Sequence, residues 1–280
     1  MKKILILGTS GMLGNSIFSN LPKEKYSVTG IQRSQSSDVN IKGNIDALDN
    51  DLLLSTIEEI NPDVLVNCIG VIKQNVEDAD IPNMLSLNSI LPHKLCAIAE
   101  RLNCKFIHFS TDCVFDGALG NYKDNDEYTS RDIYGVSKYF GEIKDSPNTV
   151  TLRTSIIGHG IEENRSLIDW FLNSDSRIKG FSKAVFSGFP CCEIANILDT
   201  HVINNNELCG LYNLSSNPIN KHDLLTEVNN VYELNKEIVK DESFKIDRSL
   251  NSELFQEVTG YKVPSWPKLI KDMYLKDYKR

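Results

Sequence analysis

Hydrophobic positions in the first half of the chain follow two alternating rhythms. Short, almost unbroken apolar runs occupy residues 4–7, 26–31, 64–68, 105–109 and 149–152. Each is too short for a stable helix, and all five hold the β-branched or aromatic residues that suit strands. Between them lie stretches with helical periodicity at 12–21, 51–60, 91–102 and 133–143. Strands that read as continuous apolar runs are covered on both faces, and strands that alternate with helices are joined by crossovers. Together these predict an α/β chain built on a doubly wound parallel sheet.

The order weakens beyond residue 155. A helical stretch at 166–173, a short apolar run at 184–186, a strand at 211–214 and a charged, glycine-poor C-terminal region predict a smaller mixed α/β lobe. The division expected is 1–155 for the sheet domain and 156–280 for the lobe, with segments around 183–215 returning to the first. Polar loops are expected at 121–132 and 215–220, and no internal repeat or low-complexity linker separates the two parts.

Composition narrows the function. A net charge of -8 argues against partners that reward clustered Lys and Arg, such as nucleic acid or an anionic membrane. No apolar run approaches the roughly 20 residues of a membrane span. Met1-Lys2-Lys3 followed by the run at 4–7 imitates the start of an export signal, but Gly8, Thr9, Ser10 and Gly11 break it, so none is expected. The seven cysteines form no CxxC and include the neighbours Cys191 and Cys192, which predicts reduced thiols and a cytoplasmic setting.

The chemistry starts at Gly8-Thr9-Ser10-Gly11-Met12-Leu13-Gly14, which leaves the first strand and opens the first helix. This GxxGxxG spacing suits a tight turn, close approach of backbone amides to a pyrophosphate, and a helix packed tightly on its strand, with free N–H groups facing the anion. The pattern lacks the Gly-Lys-Ser/Thr of a nucleoside-triphosphate loop. At the end of the second strand, Gln32-Arg33-Ser34 offers no acid for a ribose 2′-hydroxyl, while Arg33 suits a 2′-phosphate. That favours NADPH, with NADH as the alternative. An exposed Arg33 that contacts only solvent is the plainer reading.

Tyr134 and Lys138 stand at i and i+4, on one face of a helix. A cation beside a phenol stabilises the phenolate and prepares it to exchange protons. Such pairs are also common on ordinary helix surfaces, so the context decides. Thr111, in the stretch 109–117, sits at the C-terminal end of a strand, where open parallel sheets bind ligands, and can polarise a carbonyl beside Tyr134. His108 reads as a core histidine, His159 as a weak substrate contact, and neither makes a metal site; no metal is expected.

With these residues assembled, the chain resembles the extended short-chain dehydrogenase/reductases, and among them the dTDP-4-dehydrorhamnose reductase family. The landmarks are GTSGMLG at 8–14, NCIGVIKQ at 67–74, Asn88, HFSTDCVFDG at 108–117, YGVSKYFGE at 134–142 and LRTS at 152–155. The resemblance implies a Rossmann-type sheet holding NAD(P)H, a C-terminal lobe over a nucleotide-activated 4-keto-6-deoxysugar, and a role in deoxysugar and surface polysaccharide biosynthesis. It implies Tyr134 as proton donor, Lys138 on the nicotinamide ribose and Thr111 as third catalytic member. Gly8, Ser10, Gly11, Met12, Leu13 and Gly14 would hold the pyrophosphate, and Arg33 the 2′-phosphate. Asn44, Ile45, Cys68, Ile69, Gly70, Asn88 and Ser110 would border the dinucleotide, with Asn88 supporting a relay water. Lys73, Thr111, Cys113, Val114, Tyr134, Ser155 and Arg248 would face the substrate.

One position departs from the family pattern: Cys113 stands where a tyrosine follows Ser-Thr-Asp, which alters a substrate-facing contact. The candidate diphosphate partners are Lys73, Gln74, Arg165, Arg177 and Arg248. The alternatives are a nucleotide-sugar epimerase with bound NAD and a non-catalytic dinucleotide-binding subunit. Asp112-Cys113 lacks the Asp-Glu pair of the sugar-nucleotide dehydratases. A homodimer is the default expectation for the assembly.

Overall fold

A computed structural model describes residues 1–71, 81–160 and 166–279. The first half alternates β1 (Lys2–Leu7), α1 (Met12–Asn20), β2 (Tyr26–Ile31), the two-residue β3 (Ile41–Lys42), α2 (Asn50–Ile60) and β4 (Val64–Asn67). It continues with α3 (Ile81–Leu85), α4 (Leu91–Arg101), β5 (Lys105–Thr111), α5 (Ile133–Phe140) and β6 (Thr149–Thr154). The second half holds β7 (Ile156–Ile157), α6 (Leu167–Asn173), β8 (Arg177–Phe186), β9 (Phe189–Pro190), α7 (Cys191–Ile197), β10 (Gly210–Asn213), β11 (Ile219–Asn220), α8 (Lys221–Val231), β12 (Glu237–Asp247), α9 (Glu253–Thr259) and α10 (Trp266–Met273).

Seven strands form one sheet in the order β10-β6-β5-β4-β1-β2-β3, and every neighbouring pair is parallel. The run at 4–7 shows why these strands read as unbroken apolar stretches. Ile4 and Ile6 enter the core on one face with α1, α7, α8 and α10, while Leu5 and Leu7 enter the other with α2 and α4. Each face of the sheet needs its own cover, so alternation vanishes from the sequence. The strand order reverses between β1 and β4, where open α/β sheets leave a crevice for ligands.

The second half splits between this sheet and a smaller one. β10 extends the main sheet beside β6, and α7 packs on α1. β8 pairs antiparallel with β11 and parallel with β12, and α8 covers it. The apolar run at 184–186 is only the end of the ten-residue β8, whose earlier positions alternate with polar ones. β12, with the polar sequence EIVKDESFKID, is read as charged surface by its pattern; it lies at the edge of the small sheet, so side chains on it meet water. Among the described residues no helix is long and apolar enough to cross a membrane.

Candidate active site

The turn from β1 into α1 brings backbone donors to the crevice. A Cβ on Gly14 would sit 2.2 Å from the Gly8 carbonyl oxygen, so only glycine lets α1 start this close to its strand. Gly11 caps α1 without a side-chain bond, and no acidic residue stands in the first turn. The amides of Met12, Leu13 and Gly14 therefore lack intrahelical acceptors, and the positive end of the helix has no carboxylate to neutralise it. Ser10 and Gly11 are exposed, and Met12 and Leu13 half-buried. The loop after β4 closes the other side of the crevice: Cys68 donates its N–H to Leu7 at 3.0 Å. Burial pushes the Cys68 thiol up, so it is a neutral wall.

The chemical wall is the end of β5 against α5. Thr111, in the last position of β5, is buried; its hydroxyl accepts from the Cys113 N–H at 3.1 Å and donates to Asp112 Oδ1 at 3.2 Å. Asp132 caps α5 through the Gly135 N–H at 2.9 Å. A Cβ on Gly135 would lie 2.2 Å from the Cys113 carbonyl oxygen, so glycine here lets α5 press Tyr134 onto the 111–113 turn. Burial raises the Tyr134 phenol above its ordinary value, and the Cys113 and Asp112 neighbours add to this, while hydrogen bonding from Thr111 lowers it. The phenol thus stays protonated at neutral pH, where the i,i+4 spacing alone predicts a lowered value.

Lys138 is buried and donates to the Phe109 carbonyl at 2.7 Å. Burial pushes its ammonium down to about 8, against the opposing pull of Glu142 and Cys68. Its neighbours are fixed in turn. Asn88 lies in a π-helical turn, the kind of irregularity that recurs at functional sites. Its amide accepts from Val71 N–H at 2.9 Å and donates to Val71 O at 3.0 Å and Ser137 Oγ at 3.1 Å, pinning the loop after β4 to α5. Both of its donors are thereby used, which leaves one acceptor lone pair for a water. Below the triad, Glu142 and Arg153 are fully buried and pair through two 2.7 Å bonds, and Ser110 Oγ donates to Glu142 at 2.8 Å. The Ser110 side chain is therefore engaged in this network.

A cavity of about 350 Å³ opens beside this wall, between the main sheet and the small one. Asp112, Cys113 and Ser155 are among the residues that line it. Burial pushes the Cys113 thiol up to about 12, so it is a neutral wall group, and Arg248 Nη1 lies 3.7 Å from its sulfur. Burial raises the Asp112 carboxyl too, opposed by Arg248 and Lys221. Lys221, Phe186, Phe181, Trp170 and Phe244 also line it. Of these, sequence reasoning names only Arg248, Cys113 and Ser155. Lys221 and the aromatics come from β8, β12, α6 and α8, and no local motif marks them.

Other predicted residues lie elsewhere. Arg33 is exposed after β2, where backbone bonds from Asn44 to Ser34 and from Ile45 to Gln32 bring the three positions together. Ile45 is itself buried in the core, and Asn44 adopts a left-handed conformation. Val114 is fully buried with Phe115, Tyr122 and Leu250, so its side chain is core. Lys73, Gln74 and Arg165 fall outside the described residues. Arg177 pairs with Glu237 on the exposed edge of the small sheet. His108 is fully buried with Nδ1 3.2 Å from the Asn67 amide, and burial holds it well below the ordinary histidine value. His159 is engaged by Asp169 at 3.1 Å and by Tyr232 at 2.8 Å. Among the described residues no group of three metal-ligating side chains converges.

Comparison with known proteins matches residues 1–179 to the model of the RmlD substrate binding domain. A dTDP-4-dehydrorhamnose reductase of Aggregatibacter actinomycetemcomitans is 31% identical over 160 residues, which cover 55% of this chain and 51% of that one. The methionine adenosyltransferase 2 subunit beta of Danio rerio is 26% identical over 166 residues, covering 58% and 50%. The chain thus spans about half the length of these curated relatives. Among solved structures, a dTDP-4-dehydrorhamnose reductase from Bacillus anthracis in complex with NADP superposes with a TM-score of 0.82 at 16% identity, covering 99% of each chain. At that identity the likeness speaks for the fold. By the extent of the family match, this chain belongs to the RmlD substrate-binding domain family.

Proposed function

We propose that the protein is an NADPH-dependent reductase of a nucleotide-activated 4-keto-6-deoxysugar. The observation that carries this reading is that Thr111 and protonated Tyr134 meet beside Asp112 and Cys113, which line the cavity, with buried Lys138 bonded to the same strand end, on the same C-terminal edge of the parallel sheet as the phosphate-type turn at 8–14. Residues 1–155 would hold the dinucleotide and 156–280 most of the sugar nucleotide. The cradle fits the cofactor: the amides at the start of α1 lack acceptors, and Gly14 leaves room for a close approach. Arg33, exposed and unopposed by an acid at the end of β2, favours the 2′-phosphate of NADPH over NADH. The similarity to two dTDP-4-dehydrorhamnose reductases, of Aggregatibacter actinomycetemcomitans and Streptomyces griseus, supports the same reading.

A bound dinucleotide would supply the hydride. The chain's own work is to bind the carbonyl oxygen and deliver a proton to it. Thr111 donates a hydrogen bond to that oxygen, exchanging its bond to Asp112 for one to the substrate. Tyr134 transfers its phenolic proton to the developing alkoxide, and the high affinity of the phenol for that proton keeps the donor loaded. Lys138 then stabilises the phenolate left behind, because a cation in a dry site favours the charged form of its neighbour.

The decisive experiment follows NADPH and NADH consumption against a panel of 4-keto-6-deoxy nucleotide sugars, with Tyr134→Phe as the blank. Consumption of NADPH with one substrate, lost in the variant, is expected; turnover retained in Tyr134→Phe overturns the assigned donor. The similarity to methionine adenosyltransferase subunit beta favours one second reading, a dinucleotide-binding subunit of another enzyme. A co-purifying partner, together with NADPH binding and no reduction, is the outcome that selects it. Tightly retained NAD in the purified protein selects an epimerase.

A further inference from the structure

Two side chains, one from α5 and one from the turn that ends it, land on consecutive residues of β5. Lys138 Nζ donates to the Phe109 carbonyl at 2.7 Å, and Glu142 accepts from Ser110 Oγ at 2.8 Å. The next residue along the strand is Thr111. Lys138 and Glu142 stand at i and i+4, so they project from one face and cross the same gap. The helix that carries Tyr134 is thereby fastened to the strand that carries Thr111, one residue before the threonine.

Glu142 is gripped from several elements. Its side chain is fully buried: Arg153 from β6 meets it with two 2.7 Å bonds, Ser110 meets it from β5, and Lys144 on its own segment stands 4.0 Å away. Arg153 is anchored in turn by the Asp124 carbonyl at 3.0 Å and lies 5.3 Å from the centre of the Phe115 ring. An ion pair this deep is a poor source of stability, because replacing both members by apolar groups of similar volume is often neutral or stabilising. Its place one helical turn from Lys138 gives it other work. Of the titratable groups around that ammonium, Cys68 after β4, Tyr134 on α5 and His108 on β5 are neutral at pH 7 through burial. Glu142 is the carboxylate that pulls on it, and the pull favours the charged form.

We propose that Glu142 is a positioning residue of the reaction, which sets Tyr134 and Lys138 against Thr111 through Ser110 and supplies the counter-charge of the Lys138 ammonium. The proposal rests on the reductase reading above and adds the group that keeps its proton donor supported. Without the carboxylate, Lys138 gives up its proton at lower pH, and the phenolate left by Tyr134 loses its stabilising charge over a wider pH range.

The test follows Lys138 itself, by NMR titration of the full chain with isotope-labelled lysine and Lys138→Arg to assign the signal. The pH profile of kcat/KM for NADPH-dependent reduction is recorded beside it. Glu142→Gln removes the charge and keeps an acceptor for Ser110. Glu142→Gln combined with Arg153→Met strands no buried charge, which guards against a single variant that fails to fold. Ser110→Ala removes the tie to β5 and leaves the charge.

The wild-type Lys138 midpoint is expected at about 8. Both Gln variants should lower it by about one pH unit, with the alkaline fall of kcat/KM moving by the same amount. Ser110→Ala should leave the midpoint in place and lower kcat by about several-fold. A midpoint unmoved in the folded double variant overturns the proposal. A midpoint that moves as far in Ser110→Ala as in the Gln variants marks a general loosening and overturns it too. A midpoint that moves as expected in a protein that binds NADPH but reduces no 4-keto nucleotide sugar overturns the reductase reading instead.

Discussion

The two regions that meet at the cavity are built on opposite plans. The wall made by β5 and α5 is dry and saturated with hydrogen bonds: Thr111, Asn88, Lys138 and the Glu142–Arg153 pair are buried and each has partners. The facing wall, from β8, β12 and α8, exposes Phe181 and Phe244, leaves Lys221 without an anion and ends in ion pairs open to solvent. Chemistry needs groups fixed to fractions of an ångström, whereas substrate choice tolerates and uses adjustable surfaces. The contrast predicts large losses for changes on the first wall and graded ones on the second.

The largest effect should come from Tyr134→Phe, which removes the proton donor and little volume. Steady-state kinetics should show kcat down by about 10²–10⁴-fold with NADPH affinity unchanged. A smaller loss would mean that another group, or water, delivers the proton.

Next comes the support beneath that wall. Glu142→Met or Arg153→Met alone leaves an unpaired buried charge and should cost about 3–5 kcal/mol in denaturant unfolding. The double substitution should be more stable than either single one, because no charge remains stranded. If the double variant is as unstable as the sum of the two, the pair contributes through packing instead.

The pH dependence follows from Lys138. Its ammonium is held down to about 8 by burial, so it is charged below that pH and neutral above it. The profile of kcat/KM should be level below about 8 and fall above it as the stabilising charge is lost. A profile level to pH 10 would remove Lys138 from the proton chemistry.

On the second wall the effects shrink. Trp170→Ala should raise KM several-fold and leave kcat near wild type, since a rim aromatic binds ground and transition states alike. The smallest change is expected for Lys183→Ala, which breaks an exposed pair with Glu242; the thermal midpoint should not move measurably.

The same contrast governs what was legible in the chain. Parallel strands buried on both faces leave continuous apolar runs, so five of the seven main-sheet strands stand out in the first 155 residues, and β10 was legible at 211–214. β3, two residues long, has no pattern to show. β12 is hidden because an edge strand in water can be polar, and only its ladder with β8 makes it a strand. The turn at 8–14 and the Tyr134/Lys138 spacing are local geometry and can be read directly. Lys221 and Phe186 meet across 35 positions of sequence, so no local spacing announces them.

By itself, then, the sequence determined the alternating α/β plan, the phosphate-type turn and the helical placement of Tyr134 beside Lys138, because each depends on neighbours within a few residues. Tertiary structure alone decided that Tyr134 keeps its proton, that Val114 and Ile45 are core, and that Lys221 and Arg248 share one cavity. Those outcomes depend on burial and on charges brought from distant segments, and desolvation is a property of the folded surroundings rather than of any residue type.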